Sequence, residues 1–408
     1  MSSTHARRKE EKGCAHSKNP GELEEGDVEL ELWSYGGVKD EDMGEERWHG
    51  GWCRPSCIPI SVILVLIVLV VLLPLLDQKW DTSRREETSH SAAMVSLVES
   101  IPEGLLYPDG APSHASTYDT WMDLLGAAES SIEIASFYWS LRGSDLIPYP
   151  TADKNSPSKD QPNLDTELLT KRNAAEVRSL NFAQLVGGGV LHTKFWLVDR
   201  KHAYVGSANM DWRSLTEVKE MGVAVYNCSC IATDLGKIFD SSPPQFCPRG
   251  RTSDIDSILD VISTAERYIH ISVMELVPLT VFTPKIKFWP AIENALRAAA
   301  VDHKVRIRLL ISHWNHTLPA QNFFLRSMAA LSGSFPWVQK LFVVPATEAQ
   351  SRIPYARVNH NKYMVTDNAA YIETRDEVQL AQNGVRHQLT DVFDRDWYSE
   401  YAHDLPSS

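Results

Sequence analysis

The chain carries one eight-residue pattern twice, as His192-Thr-Lys-Phe-Trp-Leu-Val-Asp199 and as His360-Asn-Lys-Tyr-Met-Val-Thr-Asp367. Both copies read His-x-Lys-x-x-x-x-Asp. Each is apolar and β-branched enough to predict a buried strand that ends at the aspartate. Side chains alternate faces along a strand. His192 and Lys194 therefore share one face, as do His360 and Lys362, while Asp199 and Asp367 look the other way and hold something else in place. A fold that uses both copies must bring two imidazoles and two ammonium groups to one place.

That set suits a phosphodiester. One imidazole can attack phosphorus while the other protonates the leaving oxygen. Lys194, Lys362 and the amide of Asn209, in the following Gly206-Ser-Ala-Asn209, can neutralise the phosphoryl oxygens without a metal. The sequence has no Cys-x-x-Cys pair and no His/Cys/carboxylate cluster at metal-ligand spacing, so neither metal nor cofactor is expected. We group His192, Lys194, Asp199, His360, Lys362 and Asp367 as the catalytic set. The two aspartates are supporting residues, more structural than chemical. Ser207 orients a neighbouring side chain. Which histidine is the nucleophile stays open.

The pair resembles the HKD signature of the phospholipase D superfamily. The segments Val98-Glu-Ser-Ile-Pro-Glu-Gly104, Ala135-Ser-Phe-Tyr-Trp139, Gly206-Ser-Ala-Asn-Met-Asp-Trp-Arg-Ser214 and Arg352-Ile-Pro-Tyr-Ala-Arg-Val-Asn-His-Asn-Lys362 resemble its membrane-anchored animal branch, members three and four. The resemblance implies a type II membrane glycoprotein of the endoplasmic reticulum, Golgi and endolysosomal system. It further implies a 5′ exonuclease on single-stranded DNA and RNA, with a role in phospholipid synthesis attributed to member three.

Ile58 to Leu76 is a run of nineteen residues without a charge, long enough to span a bilayer. It starts too deep in the chain for an ordinary cleaved signal peptide, so we expect a signal anchor. Residues 1–57 hold 8 Lys/Arg against 13 Asp/Glu and read as a disordered tail. Arg47 and Arg54 precede the run and Lys79, Arg84 and Arg85 follow it, so charge does not set orientation. The resemblance places the tail in the cytosol. The sequons Asn227-Cys-Ser229 and Asn315-His-Thr317 are compatible with a luminal, glycosylated C-terminal portion. Residues 77–94 read as a stalk. The net charge of -13 argues against a broad nucleic-acid surface but leaves room for a narrow cationic site.

The rest repeats internally. Ala128-Glu129-Ser-Ser-Ile132-Glu-Ile134 echoes Ala265-Glu266-Arg-Tyr-Ile269-His-Ile271. The expected fold is α/β, with two related lobes, residues 95–240 and 241–408, sharing one central site. The lobes are unequal. Ala128 to His192 spans 64 positions and Ala265 to His360 spans 95. The longer interval holds a helix at 289–300, a strand at 305–312, a helix at 321–331 and a strand at 341–345. Nothing in the shorter one answers the 305–312 strand, and 145–165 reads as loop. After the second motif the shortage reverses. Ile372 leads almost directly to the next strand-like run, with no room for a Gly-Ser-x-Asn loop, which the family uses to brace its catalytic residues. A shortened linker is suggested near 240–246. The resemblance also implies that Cys228 and Cys230 pair with two cysteines just before Val98, which this chain lacks. A bridge between Cys228 and Cys230 would be strained. Either one luminal thiol stays free or partners are missing.

Three classes of function follow: a phosphodiesterase on single-stranded nucleic acid ends, a phospholipid hydrolase or transphosphatidylase, and a catalytically impaired membrane-anchored homologue. A homodimer is compatible with each. Phe137, Tyr138, Trp139, Trp196 and Trp212 are candidates for walls on which bases stack.

Overall fold

The computed structural model describes residues 93–141, 164–186, 189–240, 251–281, 283, 285–372 and 383–406. The apolar run Ile58 to Leu76, the tail, the stalk, Cys247 and the segment after Ile372 lie outside the described residues, as does most of 145–165 and of the linker near 240–246. No helix among the described residues is long and apolar enough to cross a membrane.

Two six-stranded sheets carry the chain. The first runs in the order 115–116, 94–100, 220–226, 202–206, 195–198, 132–135. The second runs 370–372, 362–366, 268–273, 306–312, 337–342, 402–404. The repeat is visible in the ladders. The strand Phe195–Val198 lies antiparallel between Ile132–Ala135 and His202–Gly206, and Lys362–Thr366 lies antiparallel between Tyr268–Val273 and Ala370–Ile372. Beyond Tyr268–Val273 the second sheet continues through two parallel strands, Arg306–Ser312 and Trp337–Phe342. Beyond Ile132–Ala135 the first sheet has no further strand among the described residues. The unequal intervals in the sequence thus correspond to a sheet edge in one lobe and a sheet interior in the other.

Three apolar layers follow from strand alternation. Trp196 and Val198 face outward to Trp121 and Leu124 on the helix Thr117–Gly126. That helix starts at Ser116, whose hydroxyl accepts from the Asp119 N–H, a cap contributing about 1 kcal/mol. Ile269, Ile307 and Leu309 face the helices Asp254–Ser263, Ala291–Val301 and Pro319–Ala329. Between the sheets, Leu97, Phe195 and Val223 of the first meet Phe342, Tyr363 and Val365 of the second. Val385, Leu389 and Phe393 of the C-terminal helix Asn383–Trp397 fill the same layer. The lobes therefore share a core, and the described residues belong to one compact unit.

Backbone also stitches them. The Arg357 N–H donates to the Glu217 carbonyl at 3.0 Å, Lys219 N–H to Val358 at 3.0 Å, and His360 N–H to Lys219 at 2.8 Å. Under this crossing lies an ion pair without solvent exposure, Lys219 Nζ to Asp396 at 2.9 Å. Arg395 adds a two-pronged contact to Glu99 at 2.8–2.9 Å, and the Tyr107 hydroxyl donates to Asp396 at 2.6 Å.

Cys228 and Cys230 are bonded to each other, with Cα atoms 5.2 Å apart. The bridge that the short spacing argued against is thus formed, and the third cysteine after the apolar run, Cys247, lies outside the described residues. Cys228 stands just before the helix Ser229–Phe239, and the Cα separation lies within the ordinary range of a disulfide.

Candidate active site

His192 and Lys194 precede the strand Phe195–Val198, and His360 precedes Lys362–Thr366. The motif histidines thus sit where the two strands enter their sheets. The ladders are shorter than the eight-residue motifs predict, because each chain must leave the sheet to reach the space between the lobes. There the rings of His192 and His360 stand 6.4 Å apart, centroid to centroid, at 76°. Each lysine is folded against its own motif. Lys194 Nζ donates to the His192 carbonyl at 2.8 Å and Lys362 Nζ to the His360 carbonyl at 2.9 Å. The two motifs reproduce each other in this detail.

They differ in surroundings. His192 is exposed and lies 4.9 Å from the ring of Phe137, which also carries the Lys194 ammonium at 5.5 Å. His360 is buried and its Nδ1 is 2.7 Å from Glu220 Oε2. Glu220 belongs to the first lobe, so the histidine of one lobe is braced by a carboxylate of the other. The Ser207 hydroxyl donates to the same oxygen at 2.6 Å, and the Ser214 hydroxyl donates to Glu220 Oε1 at 2.9 Å. The neighbouring side chain that Ser207 contacts is Glu220. The Asn209 N–H donates to Ser214 Oγ at 3.2 Å. The buried Asn209 Oδ1 has no protein partner among the described residues.

Glycine makes the approach possible. Gly206 and Gly222 face each other in the ladder, and a Cβ on Gly206 would stand 2.9 Å from the Gly222 Cα. Side chains there would push apart the two strands that deliver Ser207 and Glu220.

Burial opposes ionisation of Glu220, but the charge and hydrogen bond of His360, then Lys362 and Ser207, outweigh it and hold its carboxyl below the usual value. Burial is also the largest influence on His360 and lowers it, with Lys362 and Lys194 in the same direction and Glu220 opposing. An ionised carboxylate only accepts. With Glu220 ionised, His360 Nδ1 carries the proton of their hydrogen bond, and Nε2 keeps a lone pair.

Asp199 and Asp367 are not part of this cluster. Asp199 accepts from the N–H groups of Glu129, Ser130 and Ser131 at 2.7–2.8 Å and from the Ser130 hydroxyl. Asp367 accepts from Glu266, Arg267 and Tyr268 N–H at 3.0–3.3 Å. Each pins the loop that opens the neighbouring strand. These contacts suit the supporting, more structural part read from their opposite parity. Of the five aromatic candidates, Phe137 reaches His192. Trp196 is core, stacked on Trp121 at 4.9 Å. Tyr138 gives its hydroxyl to Asp211. Trp139 and Met210 form a short parallel pair, and Trp212 opens the helix Trp212–Thr216. Asn315 is exposed and Asn227 half-buried.

Sequence reasoning missed Glu220. Its signal was a carboxylate at the head of a strand buried almost throughout, Glu220–Tyr226. Placing a charge there is costly without a partner, so a partner was to be expected.

The family described as "PLD3/4, PLD-like domain" matches residues 108–241 and 236–347. The chain is 41% identical to the 5'-3' exonuclease PLD3 of Homo sapiens, over 76% of this chain and 81% of that one. It is 39% identical to the 5'-3' exonuclease PLD3 of Xenopus laevis, over 75% of this chain and 80% of that one. It is 36% identical to the 5'-3' exonuclease PLD4 of Mus musculus, over 80% of this chain and 82% of that one.

Proposed function

Because the chain belongs to the phospholipase D superfamily, in the branch of PLD3 and PLD4, and so is a phosphodiester hydrolase, we propose that it removes nucleotides 5′ to 3′ from single-stranded DNA or RNA through a phosphohistidine. The observation that carries this is the cross-lobe pair of His360 and Glu220 with His192 facing it at 6.4 Å.

The steps follow from those positions. His360 Nε2 attacks phosphorus, and an N–P bond forms as the P–O bond to the leaving sugar breaks. His192, in its protonated form, gives its proton to that departing oxygen. Now neutral, His192 takes a proton from water as the water oxygen attacks phosphorus. The N–P bond breaks and both imidazoles return to their starting states. Lys194, Lys362 and Asn209 stabilise the charge on the non-bridging oxygens, while Glu220 holds the tautomer and orientation of His360. Labelled single-stranded oligonucleotide and labelled phosphatidylcholine vesicles, offered side by side, test the substrate class. Turnover of the oligonucleotide with release of mononucleotides, lost in His360→Ala and unchanged by chelator, is the expected result. Turnover of the lipid alone would reassign the enzyme to phospholipids.

The apolar run Ile58 to Leu76 supports a type II anchor, with the tail cytosolic and the sheets in the endolysosomal lumen. The sequons lie only on its C-terminal side, and Asn315 is exposed. Endoglycosidase treatment of the protein made in cells is expected to lower its apparent mass, with part of the shift removed by Asn315→Gln. An unglycosylated chain whose C-terminus is open to cytosolic protease would reverse the topology. A homodimer is compatible with this arrangement.

A further inference from the structure

Three aromatic side chains gather on the second-lobe side of the site, and none has a part in the chemistry above. Trp314 and His316 lie in the turn after the strand Arg306–Ser312, and Tyr355 lies in the segment that leads to His360. The rings of His316 and Tyr355 are stacked, 4.9 Å apart at 20°. Trp314 meets His316 at 4.7 Å and 66°. His316 is exposed and Tyr355 is 44% exposed. Such a stack in water is poorly placed as core packing.

The sheet sets its distance from the chemistry. Lys362 pairs with Val273, and Val273 with Ile311. The turn that begins at His313 therefore leaves the sheet two strand spacings from Lys362, about 10 Å. It leaves at the end of the sheet where the motif enters. A hydrogen bond ties the turn to the site. The Asn359 N–H donates to Ser312 Oγ at 3.1 Å. Burial raises the Glu275 carboxyl, with the Leu318 backbone and the Lys362 charge opposing.

The segment under Tyr355 is held in an unusual shape. Tyr355 has φ +57° and Arg357 φ +55°. Two bulky residues in the left-handed region on one short segment store strain, a state that persists only where the surroundings enforce it and that gathers at ligand sites. The enforcement is visible. Arg213, from the helix that follows Asn209, donates to the Pro354 carbonyl at 2.9 Å. Arg357 pairs with Glu217 at 3.1 Å and donates to the Glu103 carbonyl at 2.9 Å. The turn opposite is closed by the Trp314 N–H on Thr317 Oγ1 at 2.9 Å. The Trp314 indole N–H is buried and has no acceptor among the described residues, so it remains a donor for a bound group.

We propose that Trp314, His316 and Tyr355 form a stacking subsite for one nucleobase of a single-stranded substrate, next to the phosphodiester that His360 attacks. The proposal rests on the exonuclease reading of the site and adds where the substrate is gripped. Stacking needs only a π-face, so the subsite accepts any base. It also gives this acidic protein a grip on nucleic acid that does not depend on a broad basic surface.

The test compares the full chain in detergent with His316→Ala/Tyr355→Ala and with Tyr355→Phe. The substrates are a single-stranded oligonucleotide and the same oligonucleotide with abasic sugars at its 5′ end. One stacked base is worth about 5- to 150-fold in binding. The double variant should raise KM for the natural oligonucleotide within that range and leave kcat within about threefold, with an unchanged thermal midpoint. Tyr355→Phe, which keeps the ring, should match wild type. Neither substitution should affect the abasic substrate. A KM unchanged within twofold overturns the subsite, as does an equal loss on both substrates. If the wild type binds the oligonucleotide without cleaving it, the exonuclease reading fails by itself, and the Kd values for the same pairs decide the subsite. A wild type that neither binds nor cleaves overturns both.

Discussion

At the scale of single residues, two histidines with the same motif are made unequal by what surrounds them. His360 is buried and braced by Glu220 at 2.7 Å, whereas His192 is exposed beside Phe137. A nucleophile must be neutral. Burial, Lys362 and Lys194 lower His360, so it stays neutral below the usual imidazole value of about 6.5. The acid limb of kcat/KM should therefore fall below that value. Glu220→Gln removes the carboxylate that opposes the lowering. The limb should then move further to the acid side, while turnover drops by about a hundredfold or more as the tautomer is lost. Measuring kcat/KM against pH for both proteins checks this. A limb that stays in place, or moves toward neutral, would show that Glu220 does not set the state of His360.

At the scale of elements, the segment 217–220 connects the lobes. Its backbone hydrogen-bonds to 357–360, and the buried pair Lys219–Asp396 at 2.9 Å fixes it to the C-terminal helix. Removing one partner of a buried ion pair leaves an uncompensated charge and costs about 3–5 kcal/mol. Lys219→Met should lower stability toward the lower end of that range, since Arg395 and Tyr107 still contact Asp396. The paired change Lys219→Met/Asp396→Leu should recover most of the loss in a urea melt. Equal destabilisation by the single and the double variant would mean that packing, not charge, holds the segment. The aspartates of the two motifs also act at this scale. Asp367 is held below the usual carboxyl value because the N–H groups of Arg267, Tyr268 and Glu266 outweigh its burial. That stabilisation is present above about pH 4 and is lost as pH falls through the lower folded value.

At the scale of the whole molecule, the two lobes differ in where their sheets end among the described residues. The strand Arg306–Ser312 sits inside the second sheet, while its neighbour's equivalent, Ile132–Ala135, ends the first sheet among the described residues. An edge strand presents backbone groups that a further strand would pair. Glu220, the brace of His360, lies just beyond Gly206-Ser-Ala-Asn209. The corresponding place after Ile372 lies outside the described residues, and its sequence is too short for the same loop. Inserting a Gly-Ser-x-Asn loop after Ile372, together with a strand and helix before Gln184, should raise oligonucleotide turnover. The expected gain is on the order of a hundredfold if the present geometry is misplaced by about 1 Å. Thermal melting should become sharper. A parent chain that already melts cooperatively and matches the repaired one in rate would show that the gaps are tolerated.

The sequence by itself determined the two motifs, the strands they enter, the doubled α/β plan, the unequal intervals of the two lobes and the phosphodiester chemistry. Each of these follows from residue order, because alternation along a strand and the length between repeats are local quantities. It also carried the outward parity of Asp199 and Asp367, which the loop contacts explain. The tertiary structure decided the rest. Glu220 and His360 are 140 positions apart, and only the crossing of 217–220 over 357–360 makes them partners. Trp196 and Tyr355 are equally aromatic on paper, yet one is buried against Trp121 and the other stands half-open beside His316. Burial and pairing across a shared core depend on how distant segments pack, and periodicity within a segment does not record that.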